Sequence, residues 1–204
     1  MEGCFGCWQE AQRADKVAVI LLDLRTALKP EYYENISAVL KEIESASRLL
    51  RDLYDLFPIY RTRVPVVIYY LNIILPTFQK TMRDMLIYID NGELPARTRW
   101  TLMSQRLSDQ GGTTLAQRFV MYCEALVQTV RLLSSTRSPL YDPTTFELLR
   151  VRHMRLRKLQ NIPGTYAGRR EDQHEFSTYS IRCDRPPGAD RAAPGAATAK
   201  PGRA

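Results

Sequence analysis

The strongest constraint on the fold is a run of apolar side chains at helical spacing over residues 31–56. Ile36, Val39, Leu40, Ile43, Ser47, Leu50, Leu53, Tyr54 and Phe57 recur at i, i+3, i+4 and i+7, while Glu34, Lys41, Glu44, Arg48, Arg51 and Asp55 fall on the other side. A strand would show a period of two, so this pattern predicts a helix with one dry face and one wet one. A stripe of that width has to be covered, so the rest of the chain must supply partners. With 204 residues, 45% of them hydrophobic, the chain can fill one core and is short for two.

Several further helices carry matching stripes. Val17, Ile20, Leu21, Leu24 and Leu28 predict one from Asp15 to Lys29, with Asp15 as its N-cap and Pro30 as its stop. Pro58 ends the helix of residues 31–56. The next segment, Val64 to Asp90, begins with a nearly unbroken apolar run to Leu75 and continues with Phe78, Met82, Met85, Leu86 and Ile89. A helix apolar all round is central in a bundle or lies in lipid. The apolar run is shorter than the roughly 20 residues a span requires, which favours the central helix, kinked at Pro76. Lipid remains an alternative, as does a buried strand at Val66-Val67-Ile68-Tyr69-Tyr70, although no second strand is evident to pair with it.

Asn91-Gly92 and Pro95 mark a loop. A short helix is then expected from Arg97 to Asp109 on Trp100, Met103 and Leu107, stopped at Gly111-Gly112. Thr114-Leu115-Ala116-Gln117 fits a capping box opening a helix through Leu133, striped by Leu115, Phe119, Tyr122, Leu126, Val130 and Leu133. Asp142-Pro143 opens the last one, Thr144 to Gln160, with Phe146, Leu149, Leu156 and Leu159 inward.

Beyond Pro163 the composition changes. Arg185–Ala204 holds four prolines, three glycines and seven alanines and no larger aliphatic residue, too little apolar surface to offset the entropy of ordering. The expectation is an all-α bundle of about six helices at residues 15–163. A flexible N-terminus at 1–14 precedes it and a disordered tail at 164–204 follows.

Residues that could carry chemistry are scattered. Cys4-Phe5-Gly6-Cys7 is a zinc half-site without a second half, since Cys123, His153, His174 and Cys183 lie apart. It is also a redox motif without the βαβ unit it usually serves. Two reduced thiols on a loose terminus are the simpler reading, with acylation beside Phe5 and Trp8 as the alternative. Asp52 and Asp55 share a helix face, but one carboxylate pair without a second cluster reads as solvated surface. His153 lies among arginines, which favours its neutral form. Neither it nor His174 has a nucleophile or an orienting carboxylate at useful spacing. No phosphate-binding glycine loop is present. The expectation is a non-enzymatic protein with no catalytic residue, cofactor or metal.

The densest charge cluster is Arg150, Arg152, Arg155, Arg157 and Lys158 on the last helix, within a chain of net charge +7. Such a run is either a solvated face paired to acids elsewhere, or a contact for an anionic membrane surface or an acidic partner. Nucleic acid is set aside, because neither base-reading polar side chains nor stacking aromatics flank it. Met1-Glu2-Gly3-Cys4 lacks the basic and apolar regions of a secretory signal, and Gly3 does not stand at the second position that myristoylation needs, so a cytoplasmic chain is expected.

The stretch from Trp100 to Pro163 also carries a resemblance. Its residues are Trp100, Met103, Arg106-Leu107, Gly111-Gly112, Leu115, Arg118-Phe119, Tyr122, Leu126, Leu133, Ser138-Pro139-Leu140-Tyr141-Asp142, Leu149-Arg150, Arg152, Leu156-Arg157 and Ile162-Pro163. In these it resembles a group of fungal helical proteins similar to the N-terminal SesA/HeLo-like domains of fungal nucleotide-binding and ankyrin-repeat receptors. Residues 31–90 share the likeness more loosely. The resemblance implies an all-α signalling or self-association module with a protein partner, which could be a second copy. A peripheral membrane or cell-death effector is the alternative. It carries over no catalytic residues, and a small helical enzyme or pathway accessory stands as a second alternative on other grounds.

Overall fold

The computed structural model describes residues 5–134 and 143–160, which form six α-helices and no strand. They are α1 (Phe5–Thr26), α2 (Tyr33–Leu56), α3 (Val64–Ile89), α4 (Ala96–Gly111), α5 (Leu115–Ser134) and α6 (Pro143–Gln160). Short 3-10 turns at Pro30–Tyr32 and Arg61–Arg63 lead into α2 and α3. The tail expected at 164–204 and the Asp142 cap lie outside the described residues.

The α2 stripe is buried as the periodicity requires: Ile36, Val39, Leu40, Ile43, Ser47, Leu50 and Leu53, joined by Ala46. It is covered by α1 on one side and α5 on the other. α1 and α2 run antiparallel, with Trp8 against Tyr54 and Asp15 against Ser47.

The N-terminal boundary departs from expectation. α1 begins at Phe5, so residues 5–14 are helix rather than a flexible lead. Cys7, Ala11 and Ala14 continue the buried line of Val17, Leu21 and Leu24 at spacings of three and four. These side chains are small because the helix is closely packed. A Cβ on Gly6 would stand only 3.3 Å from Leu75 Cδ1. Asp15 is consequently a mid-helix residue and not a cap. Its carboxylate accepts from Ser47 Oγ at 2.6 Å and pairs with Arg51.

α3 is one continuous helix, which removes the strand alternative, and it packs on α1, α4, α5 and α6. In its first half the exposed residues Pro65, Tyr69, Asn72 and Pro76 form a single strip at spacings of three and four. Pro76 therefore sits where its missing donor faces outward. Beside that gap Thr77 donates its hydroxyl to the Ile73 carbonyl at 2.6 Å. No helix among the described residues is long and apolar enough to cross a membrane.

α4 is tied at both ends by arginines. Arg99 donates to the terminal Ile89 carbonyl of α3 at 2.8 Å, and Arg118 of α5 donates to the Leu107 carbonyl near the end of α4. Cations there also meet the negative end of each helix dipole. Gly112 takes φ +62°, the left-handed turn that closes α4. The capping box follows: Gln117 N–H donates to Thr114 Oγ1 at 3.2 Å, and Thr114 N–H donates to Gln117 Oε1 at 3.1 Å. α6 lies along the groove between α3 and α5.

Candidate functional site

Most polar groups inside the bundle are committed to holding it together. Tyr122 is fully buried, edge-on to Phe78 and Phe119. Its hydroxyl lies 2.8 Å from Thr81 Oγ1, and both can donate to the Thr77 carbonyl. Burial pushes the phenol above its ordinary range, so it stays protonated. Arg118, Asp84 and Lys80 lie nearby. Burial raises the Asp84 carboxyl and lowers the two cations, against their mutual attraction. The buried Cys123 thiol donates to the Glu42 carbonyl at 3.2 Å and is pushed up to about 12, an unreactive state. Cys7 is buried on α1 and is no loose thiol, while Cys4 lies outside the described residues. Among the described residues no three His, Cys, Asp or Glu side chains gather as a metal site, and Asp52 and Asp55 are exposed on α2.

One buried acid stands apart. Glu10 of α1 accepts two bonds from Arg13 Nη1, at 2.7 and 2.8 Å. Burial outweighs that pairing and the nearby Arg83, leaving the carboxyl at about 7.

The cationic cluster of the last helix divides by direction. At 100° per residue Leu149, His153, Leu156 and Leu159 turn toward α3 and α5, and all four are buried. Arg152 lies half-buried on the α5 flank, its Nε donating to Glu124 at 3.1 Å. Arg150 is exposed and bidentate to Glu147 at 3.0 Å. Arg155, Arg157 and Lys158 are exposed, with no acidic partner among the described residues. Between them Leu148 and Met154 are also exposed. The five residues thus do not converge on one point. Two are locked into ion pairs and three stand outward on a convex face interleaved with apolar side chains.

Known protein families, curated proteins and solved structures provide no match for this chain.

The inner edge of α6 holds a group that periodicity alone did not mark. His153 sits between two tyrosines of α3, stacked on Tyr69 at 5.3 Å and edge-on to Tyr70 at 5.9 Å. Only 7% of it is exposed, and its buried Nε2 has no hydrogen-bond partner among the described residues. Burial first, and the Arg157 charge second, lower its pKa. The sequence marked His153 as neutral among arginines, and the direction of the shift agrees. It did not mark the tyrosines, because contact between helices leaves no local spacing to read. The Asp15–Ser47–Arg51 cluster and buried Arg118 were missed for the same reason. The one available signal was Ser47, a polar residue inside an apolar stripe.

Proposed function

We propose that this chain is a non-enzymatic helical interaction module that contacts an acidic protein partner through the outer face of α6. The observation that carries the reading is that Arg155, Arg157 and Lys158 stand on an exposed face with no acidic partner among the described residues, set against an interior whose polar groups are mostly spent on packing. Such cations beside exposed apolar side chains give the face both steering charge and area to bury. The likeness to fungal receptor-associated helical domains points the same way, toward signalling by self-association or by adaptor contact.

The test compares the full chain with the triple variant Arg155→Gln, Arg157→Gln, Lys158→Gln, using light scattering for size and affinity capture from lysate. The reading expects a partner, or a second copy, that the unaltered chain holds and the variant loses. A strict monomer that captures nothing reproducibly contradicts it. A second reading, peripheral attachment to an anionic membrane, is favoured by Leu148 and Met154 lying among the cations. Co-sedimentation with phosphatidylserine vesicles at low salt distinguishes it. Retention in the supernatant removes it.

A further inference from the structure

We infer that His153 is an acid-sensitive latch: its neutral imidazole holds α6 in the groove between α3 and α5, and protonation releases the helix. The inference concerns the helix of the proposed contact face but does not rest on what that face binds.

His153 is buried against Tyr69 and Tyr70 on α3, and its Nε2 has no acceptor among the described residues. An imidazolium in that place would need one, or a carboxylate nearby. The elements that pack on α6 offer none. α3, α5 and α6 contain one carboxylate each: Asp84, Glu124 and Glu147. Glu147 is held by Arg150 and Glu124 by Arg152. Asp84 lies fourteen residues along α3 from Tyr70, roughly 20 Å at the rise of a helix. It is already flanked by Lys80 and Arg118. α4 touches α6 near its far end, where Gly111 approaches Leu159, and its one acid, Asp109, is exposed.

The charges that do lie close are positive. Arg157, one turn on from His153 along α6, is the one that acts on the ring, since Arg150, one turn back, is paired with Glu147. Tyr70 is buried and its phenol raised, so it remains neutral and contributes no anion. The docked ring is therefore penalised for charging by burial, by the absence of an acceptor and by Arg157. The sign follows. The docked state binds fewer protons than the released one, so docking is fully favoured above the ordinary imidazole pKa and weakens as pH falls below it.

What protonation opposes is modest. The inner side of α6 buries three leucines, Leu149, Leu156 and Leu159, around the histidine. A terminal helix whose described anchors are three leucines can leave without the remaining core unfolding. Its departure would uncover apolar surface on α3 and α5.

The test uses the full chain, with hydrogen exchange read helix by helix at about pH 7.5 and about pH 5, corrected for intrinsic rates. Opening of α6 should rise by up to about thirtyfold, the ceiling for an imidazole of ordinary pKa near 6.5 that protonates only when released. α5 should not follow it. His153→Phe, which keeps a ring between the tyrosines, should abolish the rise, and His153→Gln serves if the phenylalanine variant misfolds. The imidazole of the unaltered chain should titrate below its ordinary value by NMR, assigned with His174→Gln. Equal α6 protection at both pH values overturns the inference, as does a rise that persists in His153→Phe. So does a histidine titrating above its ordinary value, which would follow if attraction of the flanking tyrosine rings for a cation outweighed burial.

Discussion

The bundle contains two places where a polar aromatic side chain is buried among other rings, and they differ in one respect. Tyr122 lies between Phe78 and Phe119 with its hydroxyl bonded to Thr81 and the Thr77 carbonyl. His153 lies between Tyr69 and Tyr70 with its Nε2 unpartnered among the described residues. The first joins α5 to α3 through rings and hydrogen bonds alike, the second touches α3 through ring contacts only. A buried polar group with a partner narrows the core to one arrangement. The same group without a partner carries its desolvation cost into every docked state. The comparison separates a fixed interior at α3 and α5 from an outer helix held more lightly.

Four substitutions press on that difference, beginning with the largest. Phe119→Ala removes a fully buried ring from the Tyr122 cluster and should lower global stability by about 3–5 kcal/mol in denaturant titration. Leu156→Ala, also fully buried, should lower the opening free energy of α6 by about 2–3 kcal/mol while leaving α5 exchange unchanged. If α5 amides followed α6, the two regions would be one cooperative unit.

The sharpest contrast is a pair of substitutions to phenylalanine. Tyr122→Phe takes away a hydroxyl bonded to Thr81 and the Thr77 carbonyl, so it should cost about 1 kcal/mol. His153→Phe takes away an unsatisfied nitrogen at similar shape, so at neutral pH it should strengthen α6 docking by about 1 kcal/mol. Opposite signs support the comparison, and a loss in both would remove it.

pH adds a separate effect through Glu10 on α1. Glu10 has an ordinary value of 4.5 and stands at about 7 in the fold, so the folded state holds its proton more tightly. Its contribution is present at acid pH and is lost as pH rises between those values. Thermal melts of Glu10→Gln should therefore depend less on pH across that window. This trend runs against the His153 effect, so whole-molecule melts mix the two, and helix-resolved exchange is needed to separate them.

How much of this was legible in the sequence follows from where each signal resides. Within-helix spacing revealed the stripes of α2 and α5, and local chemistry revealed the Thr114–Gln117 box and the Gly112 turn, because every partner lies within a few residues. The first ten residues of α1 were lost because Cys7, Ala11 and Ala14 are small, and small buried residues look like neutral ones until a neighbour such as Leu75 is placed against them. Asp15 resembled a cap because its true partners, Ser47 and Arg51, are more than thirty residues away. The cationic cluster of α6 was visible as composition. The Arg150 pair with Glu147 is local to α6, but the Arg152 pair required Glu124, a residue of another helix.

The most direct measurement is native-state hydrogen exchange of the full chain at neutral pH across low denaturant concentrations. The account predicts that α6 amides exchange through a local opening, with a shallow denaturant dependence and a free energy well below that of α5 around Tyr122. Protection in α6 that equals that of α5, with the same steep dependence, would contradict it.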